Sequence, residues 1–440
     1  MPVIILKLPL PMNKKILIVT GSDYTPQVYQ AFYDVKALGH TLYLLSDGSF
    51  EPKKGVFEKH FTHDLRKTKE ALEYMKKQPV YFDAVAIKTS EWLTPLTAFL
   101  AKEYDCIGND PIVAFNCRSK YHMRQQLQQN GIPIPQFTLA RDEKEIIQAV
   151  GRIGLPCILK PVGGNASYGT FILRDETDLK NLREKYSFAI DFLKKKAVSE
   201  DVFTFTNEEM NLMGVEEPVN MVTDYLVEEL MTGNEISVDA LVQNDCVTLM
   251  GIEDQIRMAP PYVLETAARL PYVCSEKEMA EIQNLIERTV RAMGIHNSAT
   301  HTEIMFTPEG AKIVEIGCRI GGDDLHDTIF EVTGYNLMYE SIMIALGMER
   351  KYNVPIQCHT FMEFIFPKKE GKINKITVPE NLKKDFDLFE ITLMAKEGDE
   401  VALPPKSFDY IGYVAAKGKT PEEAENKAKQ ALKKIIVNIQ

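Results

Sequence analysis

The segment TEIMFTPEGAKIVEIGCRIGGDD at residues 302–324 constrains this chain most. Thr302–Thr307 and Ala311–Ile316 are apolar-rich runs of strand character, separated by Pro308, Glu309 and Gly310. Proline suits the second position of a type I turn, and glycine suits the left-handed position that closes a three-residue hairpin loop. Such a loop sets Thr307 against Ala311, and counting back in step along both strands puts Glu303 opposite Glu315. Like charges facing each other across a ladder repel. A divalent cation between them reverses that sign, and Mg2+ is typically held by one or two carboxylates together with substrate phosphates. The plainer alternative is two solvated glutamates on the open face of a surface hairpin.

A length of 440 residues leaves room for about three domains. The hydrophobic (45%) and charged (26%) contents are ordinary for a globular protein. A net charge of −11 disfavours a nucleic-acid backbone as partner and forces any anionic substrate to rely on local positive charge. Cysteines 106, 117, 157, 246, 274, 318 and 358 are odd in number and form no C-x-x-C pair. Reduced thiols in a cytoplasmic setting are expected, not a disulfide framework or a zinc ribbon. No run of about 18 apolar residues occurs, so no membrane-spanning helix is expected. Met1–Pro11 is apolar and short without a basic start, and reads as a leader or upstream start before Met12, not as a signal peptide.

Ile16–Thr20, Pro26–Leu38 and Thr41–Leu45 read as strand, helix and strand, a unit that calls for a parallel sheet. Phe82–Lys88 and Tyr104–Ile107 read as further strands. No G-x-G-x-x-G follows the first strand, so a dinucleotide fingerprint is not supported, although Gly21-Ser22 would lie at strand ends where ligands collect. A helix follows Arg118–Tyr121 until Gly131-Ile-Pro-Ile-Pro135 breaks it, and strand and helix signals then alternate irregularly to about residue 345. The charge-rich Ser187–Asn220 stretch reads as an insertion or mobile segment. Gly347–Asn353 is the expected boundary of a smaller last unit, which ends in a helix capped by Thr420, with Pro421 first and Glu423 third. The expected division is a leader over 1–13, an N-terminal α/β domain over 14–115, a two-subdomain unit over 116–350 and a small α+β domain over 351–440.

Two stretches are candidates for ligand binding, the first of them for phosphate. Cys157–Leu159 is a strand that runs into Lys160, Pro161 and a loop holding Gly163, Gly164, Ser167 and Gly169. Glycines let successive backbone N–H groups close on an anion, and a serine hydroxyl adds a further donor. The Walker pattern is missing, so this is not a P-loop, and a glycine-rich hairpin turn with an incidental lysine is the alternative. Tyr225–Asp239 reads as strand, turn and strand, with Glu228 and Glu235 flanking a turn that contains Gly233. Such a turn can present backbone groups to an adenine edge and an acid to ribose hydroxyls, or be a solvated hairpin.

In order, spacing and residue type these stretches resemble the ATP-grasp superfamily over roughly residues 14–440. The resemblance implies an α/β chain with ATP held between two α+β subdomains, behind an N-terminal parallel-sheet domain and before a small C-terminal one. It implies Lys120 and Lys160 as phosphate lysines and Gly163, Gly164, Ser167 and Gly169 as a mobile lid. Glu228, Glu229 and Met231 resemble the adenine hinge, and Glu235 resembles the ribose acid. Glu303 and Glu315 would be the Mg2+ ligands, with Mn2+ as the alternative ion, and Arg319 would steady the reacting carboxyl and phosphate. Many members carry an asparagine two residues after the second glutamate. Here Gly317 stands there, so water, Asp323, Asp324 or a weakened metal site must take its place.

The form E-I-G-x-R-I-G-G-D and the C-terminal GYVAAKGKTPEEAENKAKQAL look most like the L-amino-acid ligase branch, which joins two amino acids. The expected chemistry is an acyl phosphate made with ATP and attacked by an amine, with Arg319 or the N–H groups of Gly321 and Gly322 stabilising the oxyanion. Arg257 and His301 are candidates for a substrate carboxylate (His301 also for phosphate), and Glu265 for a substrate ammonium. The other readings are a different carboxylate–amine ligase, a carboxylase-like enzyme, or an ATP-binding regulator without turnover. Small molecules are the expected partners, with neither nucleic acid nor membrane, and relatives commonly form homodimers.

Overall fold

Ile16, Leu17, Ile18 and Val19 are fully buried, as a parallel strand covered on both faces must be. The computed structural model describes residues 13–164, 167–196, 203–258, 264–404, 406–407 and 409–440. The expected leader lies outside them except for residue 13, as do Asn165 and Ala166 of the glycine-rich loop. Lys15–Val19 pairs in parallel with Thr41–Ser46 on one side and Ala84–Ile87 on the other, and Lys59–Thr62 completes a four-stranded sheet. The helix Pro26–Ala37 joins the first two strands. Thr25 caps it by accepting from Val28 N–H, and Pro26 sits where no helical donor is needed. This confirms the strand–helix–strand reading.

Three antiparallel sheets follow. Phe137–Ala140, Tyr225–Glu229, Cys157–Pro161 and Phe171–Leu173 form one, in that order. The larger sheet has eight strands, in the order Gly310–Gly317, Ser298–Thr307, Asn234–Gln243, Cys246–Arg257, Glu265–Leu270, His359–Ile365, Gly412–Gly418 and Leu388–Leu393. Glu265–Leu270 pairs with Cys246–Arg257 on one edge and with His359–Ile365 on the other. Strands of the last residues continue this sheet, and Gly371–Thr377 pairs with Glu400–Val401 and Ile436–Ile439 in a small three-stranded sheet of their own. The helix Pro421–Leu432 packs on it through Ala424, Ala428 and Ala431, and Thr420 accepts from Glu423 N–H as expected. No helix among the described residues is long and apolar enough to cross a membrane.

Two sequence expectations fail. Tyr104–Ile107 is not a strand, because the helix Thr94–Glu103 runs up to Tyr104, which caps it, and Asp105 turns left-handed at φ 52°. Ser187–Asn220, where described, is not a loose insertion. The helices Leu182–Lys196 and Asn207–Met213 fall within or across it, the second opened by a Thr206–Glu209 capping box. Phe203, Phe205, Met210 and Met213 are buried, with Phe203 edge-on to Trp92 and Phe205 edge-on to Phe115. These apolar residues are spaced among charges, which hides the core face from a reading of composition.

Candidate active site

A cleft of about 1230 Å³ is lined from all of these parts: Gly21 and Glu91 from the parallel sheet's ends, Lys160 and Met231 from the smaller antiparallel sheet, and Glu303 and Glu315 from the larger one. The register Glu303↔Glu315 holds, but not through the expected loop. Thr307 faces Gly310, and Phe306 faces Ala311. A β-bulge at Val314 then takes up the one-residue offset, so Ile304 faces Ile313 while Glu303 faces Glu315. Arg124 satisfies the bulged Val314 carbonyl from Nη2 at 2.8 Å.

Lys120 starts the helix Lys120–Gln129, and its N–H bonds the Val162 carbonyl at 3.0 Å. Its Nζ donates to the Gly164 carbonyl at 2.5 Å and to Glu315 Oε1 at 3.0 Å. Burial pushes the Glu315 carboxyl pKa up, Lys120 opposes this, and Glu91 and Glu303 add to it. Glu303 makes no hydrogen bond or ion pair with the described side chains. Two facing carboxylates offset by a single lysine fit a hard cation. No group of three or more His, Cys, Asp or Glu among the described residues could hold a metal ion, so the two glutamates fit Mg2+ only with phosphate and water oxygens completing its shell.

Asp323 and Asp324 do not replace the missing asparagine. Asp323 accepts from Tyr410 Oη at 2.6 Å, and Asp324 from Tyr413 Oη at 2.7 Å and Lys88 Nζ at 3.2 Å. Gly321 is likewise a correction: its N–H is committed to Asp239 Oδ1 at 2.8 Å and is not free for an oxyanion. Gly322 N–H has no partner among the described residues.

Lys160 Nζ lies 3.2 Å from Glu228 Oε2. Glu228 sits in the middle of the smaller antiparallel sheet, fully buried, and Arg124 binds it through Nε at 2.7 Å and Nη2 at 3.3 Å. Burial favours its neutral form, but Arg124 and Lys160 outweigh burial and hold the carboxyl down at about 2. The Glu228 side chain therefore positions cations, and its backbone lies between two strands, which leaves Glu229 to Met231 as the open part of the hinge. Glu229 pairs with Lys312 of the hairpin.

Glu235 is buried and takes Arg257 Nη2 at 2.5 Å, while Arg257 also donates to Gln255 at 2.9 Å. Burial raises Glu235 to about 7 against the pull of Arg257. Arg257 is thus engaged with the expected ribose acid. Burial and the nearby Asp323 push the Glu265 carboxyl up to about 8. His301 bonds Asp239 Oδ2 through Nδ1 at 3.0 Å; burial lowers its pKa, but Asp239 wins and leaves it raised.

The glycines of the loop have packing reasons. Gly163 N–H bonds the Met221 carbonyl at 2.9 Å, and a Cβ there would meet Met221 Cβ at 2.5 Å. Gly164 N–H bonds Pro161 O at 3.3 Å, and Gly169 takes φ 72° against Leu193. Those two N–H groups are not free for phosphate in this arrangement. Ser167 is left-handed at φ 58°, and Tyr168 Oη bonds Asp409 at 2.7 Å.

Arg319 donates from Nη2 and Nε to Glu91 Oε2 at 2.6 and 3.2 Å and from Nη1 to the Ile320 carbonyl at 3.1 Å. Glu91, Arg124, Asp239 and Tyr410 escaped the sequence reading. Only Glu91 carried a signal, since it follows the strand Ala84–Ile87 at the carboxyl end of a parallel sheet, where ligands bind.

Residues 153–327 match the ATP-grasp domain family, and residues 363–440 match the L-amino acid ligase C-terminal domain 2. The chain thus carries an ATP-grasp domain followed by an L-amino acid ligase C-terminal domain. The chain is 26% identical over 338 residues to an L-arginine-specific L-amino acid ligase of Bacillus subtilis, covering 75% of this chain and 73% of that one. It is 20% identical over 336 residues to the uncharacterized protein y4rH of Sinorhizobium fredii, where it covers 76% of this chain and just 64% of that one. The crystal structure of an L-amino acid ligase from Bacillus licheniformis superposes with a TM-score of 0.76 at 20% identity, over 98% of this chain and 99% of that one. That likeness shows a shared fold.

Proposed function

We propose that this protein is an ATP-dependent, ADP-forming ligase that makes an amide bond between the carboxyl group of one small molecule, in the first instance an L-amino acid, and the amine of another. One observation carries the reading: Glu303 faces Glu315 on a cleft wall that also presents Lys120, Lys160 and Arg319. In this reading the substrate carboxylate attacks the γ-phosphorus of ATP, giving an acyl phosphate and ADP. The amine then attacks the acyl carbon, phosphate leaves, and a proton is released. Two anions must meet in the first step, so positive charge has to be concentrated there. Mg2+ held by Glu303 and Glu315 would supply part of that charge when bound. Lys120, Lys160 and Arg319 supply the rest, and Gly322 N–H is a donor for the oxyanion of the second step.

The open hinge from Glu229 to Met231 would take adenine. Glu235, steadied by Arg257, would take the ribose. Ser167, Gly163, Gly164 and Gly169 would form the lid, which must rearrange to free N–H groups now bonded within the chain. Glu265 would ionise to meet a substrate ammonium, and His301 would meet a phosphate or substrate carboxylate. A lid is required because acyl phosphates hydrolyse, so water has to be excluded.

The test is a screen of L-amino-acid pairs with Mg-ATP, following phosphate release and the product mass. With an 18O-labelled carboxylate substrate, one label should appear in the released phosphate. Bound nucleotide without phosphate release for any carboxylate–amine pair would contradict the proposal.

A further inference from the structure

After the strand Ala84–Ile87 the chain passes through Lys88, Thr89 and Ser90 into the short turn Glu91–Leu93. These few residues grip the 319–324 loop three times. The Lys88 carbonyl accepts from Ile320 N–H at 3.0 Å, Lys88 Nζ reaches Asp324 at 3.2 Å, and Glu91 takes Arg319 at two points, 2.6 and 3.2 Å. Glu91 is buried, and its second oxygen has no hydrogen-bond partner among the described residues. Burial opposes its charge, yet Arg319, Arg118 and Lys120 hold the carboxyl down at about 2. A guanidinium has five N–H donors. Three are used, two by Glu91 and one by the Ile320 carbonyl, which leaves two for a ligand in the cleft.

Arg319 has several rotatable bonds, and a two-point contact removes the rotation that would sweep its remaining donors off target. We propose that Glu91 is a positioning residue of the ligation reaction: it fixes the Arg319 guanidinium toward the reacting carboxyl group and makes that geometry depend on the seating of the N-terminal parallel sheet. This rests on the ligase reading of the same cleft. A displacement of about 1 Å in such a group can lower turnover by about 10²-fold.

The test uses the full chain with Glu91→Gln, Glu91→Asp, Arg319→Gln and the double variant E91Q/R319Q. Turnover with the best amino-acid pair, affinity for a fluorescent ATP analogue and the melting temperature are read in each, and the 15N-resolved Nε–H signal of Arg319 in wild type, E91Q and E91D. E91Q should lower kcat by about 10²-fold, leave nucleotide affinity within about threefold, and lose the protected Nε–H signal. E91D, with the charge kept but withdrawn, should lose roughly tenfold, and it decides by the same criteria if E91Q melts early. In the R319Q background the loss from E91Q should shrink to under about threefold, because Glu91 acts through Arg319. A kcat within about threefold of wild type, an unchanged Nε–H signal, or a full loss persisting beside R319Q overturns the inference. An inactive wild type refutes the ligase reading and with it the role in ligation, whereas an active wild type with an unchanged Nε–H signal in E91Q refutes the positioning by Glu91 alone.

Discussion

Replacing Glu228 by glutamine should separate the fold's dependence on a buried charge from the site's. Glu228 is buried between Arg124 and Lys160, and its carboxyl is held at about 2 against an ordinary value of 4.5. Each unit of difference is worth about 1.4 kcal/mol, so the ionised form contributes about 3 kcal/mol to stability at neutral pH. Because the folded value lies below the ordinary one, this contribution is complete above about 4.5 and is lost as pH falls toward about 2; near pH 3 roughly half remains. E228Q leaves two buried cations short of a partner, and breaking one side of a buried pair removes about 3–5 kcal/mol. Spread over a cooperative unit of 150–250 residues, a loss of about 3 kcal/mol lowers the melting temperature by roughly 6–12 °C. Calorimetry of wild type and E228Q between pH 7 and pH 3 would measure this, with the gap between the two proteins narrowing as pH falls. A gap below about 2 °C at pH 7, or one that does not narrow, would refute the reasoning.

Other substitutions follow from the same contacts. Gly163→Ala places a methyl 2.5 Å from Met221 Cβ and 2.9 Å from its carbonyl oxygen. It should destabilise by about 1–3 kcal/mol and weaken nucleotide binding, as melting and titration would show. Lys120→Met removes the cation beside Glu315, and turnover should fall by about 10²–10³-fold with the fold retained by circular dichroism. ATP should protect the 163–169 loop from limited proteolysis, and Tyr168→Phe, which loses the bond to Asp409, should raise cleavage without nucleotide. Equal cleavage with and without ATP would count against a lid.

The sequence carries the parallel unit at Lys15–Ser46 clearly, because β-branched strands, a proline-started helix and Gly39 all agree. The facing glutamates were legible too, though for a reason only partly right. The loop is tighter than Pro308-Glu309-Gly310 implies, and a bulge at Val314 restores the pairing. A bulge depends on Arg124 reaching the Val314 carbonyl from 190 residues away in the chain, which no local pattern reveals. The same holds for Glu228, whose partners lie on a helix and a neighbouring strand, and for Asp239, which claims Gly321 N–H across the larger sheet. Long-range pairing also ties the C-terminal residues to the rest, since the edge offered by Glu265–Leu270 draws residues 359–365 into one continuous sheet.

A crystal grown with Mg-ADP and a phosphinate mimic of the acyl phosphate would measure the central claim most directly. The account predicts a cation bridging the Glu303 and Glu315 carboxylates to phosphate oxygens at about 2.0–2.1 Å. Nucleotide bound in the cleft with both glutamates turned to solvent and no cation between them would contradict it.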